Sequence, residues 1–209
     1  MAGSDDPYGG GGSGGISPPT LPGGGYPTYA QTLQAIYAAV TAKGYTFGPG
    51  EGQATSGTGT VYKHSLTYEG NLKVLRIYID LTGLGTSTTD LDVIGVAGGA
   101  AHLGRITAAE IGTVEAIRMT CLELPVTGAD DIILYSADEG TAVFDDGIAA
   151  LTADTVLIYP AAAWANGTVK GATAVPAANQ YLYLVNGEAG TVGTYTAGKF
   201  LIEMYGYAA

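Results

Sequence analysis

Residues 60–81 read TVYKHSLTYEGNLKVLRIYIDL, and their pattern decides the fold. On one arm Tyr62, His64, Leu66 and Tyr68 alternate with Val61, Lys63, Ser65 and Thr67. On the other, Leu75, Ile77, Ile79 and Leu81 alternate with Val74, Arg76, Tyr78 and Asp80. Period two is the strand signature, because successive side chains point to opposite faces. Gly70-Asn71 supplies a two-residue turn, since glycine takes positive φ without a Cβ penalty. A hairpin closed there sets Leu66 opposite Leu75, His64 opposite Ile77 and Tyr62 opposite Ile79. The other face pairs Lys63 with Tyr78 and Ser65 with Arg76. The first face is apolar and is expected to cover a core, which makes His64 a hydrogen-bonded core histidine. The second face is mixed and is expected to remain outside.

Short strands recur after the hairpin, at residues 90–96, 102–107, 114–124, 131–136, 142–144, 155–159, 180–185 and 199–207. Turn signals separate them, helices do not alternate with them, and no fixed-period repeat is visible. That pattern predicts a mainly β chain: an antiparallel β-sandwich or jelly-roll-like body over 60–209. Residues 28–59 are expected to hold one amphipathic helix and a linker. Thr28 is the candidate N-cap; Leu33, Ile36, Tyr37 and Val40 form one stripe; Lys43 and Gly44 mark the end. Residues 1–27, MAGSDDPYGGGGSGGISPPTLPGGGYP, read as a flexible Gly/Pro-rich arm that cannot build a core. Its apolar groups, Tyr8, Ile16, Leu21 and Tyr26, are expected to dock on a partner. The stretch 160–176, PAAAWANGTVKGATAVP, is a long excursion carrying the single tryptophan, Trp164, read as a contact residue.

Composition narrows the function. The net charge is −11 with only 8 Lys and Arg, which argues against nucleic acid and against an anionic membrane surface. No apolar run approaches the ~20 residues of a membrane span. The first 42 residues lack Lys and Arg and a long apolar stretch, so no secretory signal or transit peptide is expected. A lone cysteine, Cys121, forms no internal disulfide and suits assembly in a reducing cytosol. Only 13% of residues are charged and Tyr outnumbers Phe 15 to 3, a balance that suits surfaces shared with neighbours. Tyr62, Tyr68, Tyr78, Tyr181, Tyr183, Tyr205 and Tyr207 lie on expected strands, where core-edge packing, subunit contact and sugar stacking all remain open.

Chemical motifs are weak. Residues 95–104 are glycine-rich but lack phosphate-loop spacing and a following helix, so a turn between strands is the better reading. His64 and His102 are the only imidazoles and form no zinc-like spacing. Asp90/Asp92, Asp130/Asp131, Asp138/Glu139 and Asp145/Asp146 are paired carboxylates at expected turns. They are read as solvated caps, with calcium ligation or a glycosidase acid and base as the alternatives. No G-x-S-x-G occurs. Asn166-Gly167-Thr168 matches a glycosylation sequon, which matters only on a eukaryotic secretory route. No catalytic residue, metal or cofactor is expected.

From Leu72 onward the chain resembles small structural proteins of tailed bacteriophages. The likeness rests on LRIYIDLTGLGTSTTDLDVIGVAGGAAHLGRITA (75–108), RMTCLELP (118–125), DDIILYSADEGTAVFDDGI (130–148) and TYTAGKFLIEMYGY (194–207). It brings no active-site residues. It implies a virion component, either a capsid decoration (cement) protein or a part of a tail or fibre. The compact acidic body, the reaching arm and the absence of fibre repeats favour decoration. The expectation is a non-enzymatic protein on the capsid surface, assembled in the bacterial host cytoplasm, that braces the major capsid protein lattice. Its bodies are expected to close into a homo-oligomer, with a trimer at local threefold positions favoured. The expected contact residues are the four arm side chains with Lys63, Arg76, Tyr78 and Trp164. The alternative is a receptor- or glycan-binding module of a tail or head fibre using Tyr and Trp164, and a β-sandwich glycan hydrolase is a third possibility.

Overall fold

The computed structural model describes residues 47–54, 62–187 and 192–207. They belong to the second of the two units into which the chain divides, Tyr45–Ala209. The expected arm, the expected helix and the arm residues Tyr8, Ile16, Leu21 and Tyr26 lie outside the described residues.

The described residues are mainly antiparallel β. After one helical turn, α1 (Glu51–Ala54), come β1 (Tyr62–Glu69), β2 (Leu72–Asp80), β3 (Gly85–Thr86), β4 (Gly104–Arg105), β5 (Thr113–Val126) and β6 (Ile133–Ala137). A 3₁₀ turn at Ile148–Ala150 precedes β7 (Thr155–Ile158), β8 (Val169–Gly171), β9 (Tyr181–Val185), β10 (Gly193–Thr194) and β11 (Ala197–Tyr207). Three sheets result: β1-β2-β11-β5-β8, β4-β9-β6-β7, and the short pair β10-β3.

The hairpin has the register expected from its turn, with Tyr62 opposite Ile79, Lys63 opposite Tyr78, His64 opposite Ile77 and Leu66 opposite Leu75. Gly70 takes φ +64°, the conformation the two-residue loop demands. The last strand, β11, lies between β2 and β5 and pairs antiparallel with both.

One face of this sheet carries Leu75, Ile77 and Ile79, then Phe200, Ile202 and Met204, then Ile117, Met119 and Cys121. All belong to one core cluster with Leu134, Leu157, Leu182 and Leu184 from the four-stranded sheet. Ile133, Tyr135, Tyr183 and Val185, on the opposite face of that sheet, join a second cluster with Val93, Ala101, Ala142 and Ile148. The four-stranded sheet is therefore apolar on both faces, which explains the unbroken burial of Ile133–Ala137. Buried amides tie the covering loops to it. Asn186 accepts the Asp92 N–H at 2.7 Å and donates to Ser87 and Thr89 carbonyls.

Several local expectations are corrected. His64 is exposed: β1 is a sheet edge, and although the His64 ring meets the buried Phe47 edge-on at 5.5 Å, it stays open to solvent there. Residues 90–96 make only isolated bridges, such as Asp92 to Gly147 and Val93 to Val185, and residues 142–144 make one, Ala100 to Val143. The excursion 160–176 contains an unforeseen strand, β8, paired with β5. Residues 47–54, expected within a linker or exposed loop, are docked. Phe47 is buried and donates its N–H to Glu110, and Gln53 is wholly buried with its amide on the Ile94 carbonyl. No helix among the described residues is long and apolar enough to cross a membrane.

Candidate docking face

The outer face of the five-stranded sheet gathers the hairpin residues singled out from the sequence. Register alone builds it. Lys63, Tyr78, Leu201, Thr120 and Val169 fall in one row across β1, β2, β11, β5 and β8. Ser65, Arg76, Glu203, Arg118 and Gly171 form the next. Asp80, Lys199 and Glu123 form a third, and Val74 and Tyr205 meet in a fourth. Four of the chain's 8 cations, Lys63, Arg76, Arg118 and Lys199, thus share one face of a protein with net charge −11.

Glu203 anchors the face. Its side chain is 7% exposed, and Arg76 Nε and Arg118 Nε donate to its two carboxylate oxygens at 3.1 and 2.5 Å. The Arg118 hydrogen bond holds the Glu203 carboxyl below the usual glutamate range, against burial, which pushes it up; Arg76 adds to the lowering. Arg76 also donates to Thr67 at 3.2 Å, which ties the edge strand into the network. Arg118 lies 5.5 Å from the Tyr205 ring centre, a cation–π distance. Lys199 bonds Glu123 and lies 3.9 Å from Asp80, and the Glu123 hydrogen bond raises its ammonium above the ordinary lysine value. Both arginine side chains remain about half exposed, at 40% and 50%, so they are oriented yet reachable from solvent. Tyr78 and Tyr205 are half-buried in the rows on either side of Arg76 and Glu203, and Tyr207 is exposed at the end of β11. A surface of pre-oriented arginines and partly buried tyrosines has the composition of protein interfaces.

Trp164 is not part of any surface. It is 4% exposed, its indole N–H donates to the Ile132 carbonyl at 2.8 Å, and its ring meets Phe200 edge-on at 5.3 Å. The excursion brings Trp164 back into the core because its polar atom finds a carbonyl there. Other tyrosines are likewise structural: Tyr183 and Tyr195 are buried with hydroxyls on the Glu139 and Ala129 carbonyls, and burial raises both phenols.

Three of the eight paired carboxylates hold backbone, and a fourth, Asp138, accepts from the Gln180 side-chain amide. Asp146 accepts the Val143 N–H, Glu139 the Thr152 N–H and Asp131 the Gly187 N–H. Among the described residues no group of three or more His, Cys, Asp and Glu is placed to hold a metal ion. His102 packs against Tyr181 and Tyr183, and burial lowers its pKa. An open groove of about 710 Å³ is lined by Asp90, Leu91, Tyr135, Val156 and Tyr159.

Sequence reasoning placed Lys63, Arg76 and Tyr78 on this face but missed Glu203, Arg118 and Lys199. The available signal was Glu203 itself, a lone acid within an otherwise largely apolar closing strand. Comparison with protein-family models, curated proteins and solved structures finds no match for this chain.

Proposed function

We propose that this chain is a non-enzymatic structural protein of a tailed-phage virion, a capsid decoration (cement) protein that braces the head lattice. The observation that carries the reading is the outer face of the five-stranded sheet, where two arginines of an acidic chain stand pre-oriented on Glu203 beside partly exposed tyrosines, with Lys63 and Lys199 on the same face. The phage-like phrases supply the context, and parts of them fall in β2, β5, β6 and β11, four strands of the two large sheets. In this reading the two large sheets form a sandwich around their common core. The arm residues Tyr8, Ile16, Leu21 and Tyr26 reach across major capsid protein subunits, and Lys63, Arg76 and Tyr78 meet a neighbour on the body. The protein assembles in the bacterial cytoplasm and ends on the capsid surface as a homo-oligomer. Binding would come from buried area, at about 25 cal/mol per Å² before ordering costs.

The test is co-sedimentation with empty capsids of the encoding phage, comparing the full chain with a chain lacking residues 1–27. The full chain is expected to bind, and the truncated one to keep its circular dichroism and lose binding. Equal binding by both would sink the role of the arm; no binding by either would sink the capsid role.

A receptor- or glycan-binding module of a tail or head fibre is the second reading. Burial removes Trp164 from its stacking surface, and the open groove beside Tyr135 and Tyr159 is what favours it. A glycan array without hits would count against that reading.

A further inference from the structure

β1 is an edge. It pairs with β2 and, among the described residues, with no other strand. Six of its eight residues are exposed, and it contains no proline and no register shift. A regular edge of this length is a template for another strand.

The hairpin determines which backbone groups face outward. The two-residue loop makes Glu69–Leu72 the hydrogen-bonded pair that closes the turn, and such pairs alternate along an antiparallel ladder. Lys63, Ser65, Thr67 and Glu69 therefore direct their N–H and C=O groups to β2. Those of Tyr62, His64, Leu66 and Tyr68 point away from β2. An added antiparallel strand must oppose outward groups to outward groups. A second β1 can then pair only with even-numbered residues opposite even-numbered ones, so the two-fold axis passes through a residue.

Among these registers, only the one centred on Leu66 sets Lys63 opposite the partner's Glu69, and symmetry repeats the pair. It also uses the whole span from Lys63 to Glu69. On the face continuous with the docking surface, Ser65 meets the partner's Thr67. On the other, Leu66 meets the partner's Leu66 and His64 meets the partner's Tyr68. Neither Lys63 nor Glu69 has an ion-pair partner among the described residues. Opposite charges directly across a ladder favour the pairing, and like charges oppose it.

We infer that β1 is a homotypic contact: two copies of this chain join β1 to β1, antiparallel about a two-fold axis through Leu66, so that their five-stranded sheets become one. The contact is isologous, which makes the association two-fold rather than the threefold closure expected from the sequence. It stands on the edge and its charges, independently of the capsid reading.

Analytical ultracentrifugation of the full chain across the micromolar range tests it, with circular dichroism confirming that each variant is folded. The wild type is expected to show a reversible monomer–dimer equilibrium. Glu69→Lys sets lysine against lysine at both symmetric positions and is expected to weaken the dimer about tenfold or more. Lys63→Glu should weaken it similarly. The double variant Lys63→Glu/Glu69→Lys, and an equimolar mixture of the two single variants, each recreate opposite charges and are expected to return to within about threefold of wild type. A chain monomeric throughout, a trimer without dimer, a dimer that Glu69→Lys leaves unchanged, or failure of both the double variant and the mixture to recover would each overturn the inference.

Discussion

Replacing Trp164 by alanine separates a core role from a contact role. The side chain is 4% exposed, donates to a carbonyl of the fully buried Ile132 at 2.8 Å and meets Phe200 at 74° between ring planes. Truncating a buried aromatic to alanine costs about 3–5 kcal/mol. Part of that loss is the Ile132 carbonyl left without a donor, about 1–3 kcal/mol. Trp164→Phe keeps six of the nine ring atoms and loses the N–H, so it should cost at least the latter amount and less than the alanine variant. At about 2–4 °C per kcal/mol for a domain of this size, Trp164→Ala should lower Tm by roughly 6–20 °C. Urea denaturation followed by circular dichroism measures both, since the variants lack the only indole. An alanine variant within about 1 kcal/mol of wild type would refute the burial of Trp164. A stable alanine variant that lost glycan binding would instead support the surface role read from the sequence.

Glu203→Gln should cost about 1–2 kcal/mol near neutral pH, a figure discounted because its arginine partners are half exposed. Because the Glu203 pKa is depressed in the fold, its stabilisation is complete above the ordinary glutamate value of about 4.3 and disappears as pH falls through the lower folded value. Wild type and Glu203→Gln should therefore converge in acid, and parallel pH profiles would contradict the network. Gly206→Ala should destabilise by about 2 kcal/mol or more, since a Cβ there would stand 2.3 Å from the Ile111 carbonyl oxygen; unchanged thermal melting would contradict that close approach. Cys121 is buried with its thiol pKa raised by desolvation, so alkylation should follow global unfolding across a urea series, and rapid labelling of native protein would show an open path to it.

The hairpin was legible to the residue because a two-residue loop and a period of two leave one register. The fate of His64 was not. Period two assigns a face, but whether a core lies beneath it depends on which strands become neighbours, and β1 proved to be an edge. The same non-locality hid Glu203. Its partners Arg76 and Arg118 are 127 and 85 residues away in sequence, and only the order β2-β11-β5 brings them together. Trp164 misled because small and polar neighbours made its stretch read as surface loop, while its ring is held by distant Ile132 and Phe200. Strand β8 was too short to show alternation. Lys63, Arg76 and Tyr78 were legible as one face because the hairpin alone determines their relation.

The most direct measurement of the proposed capsid role is electron microscopy of tailed-phage particles assembled with the full chain carrying a gold-binding tag. Decoration of the head lattice at regular positions is the expected result. Label confined to the tail, or absent from intact particles, would contradict the account.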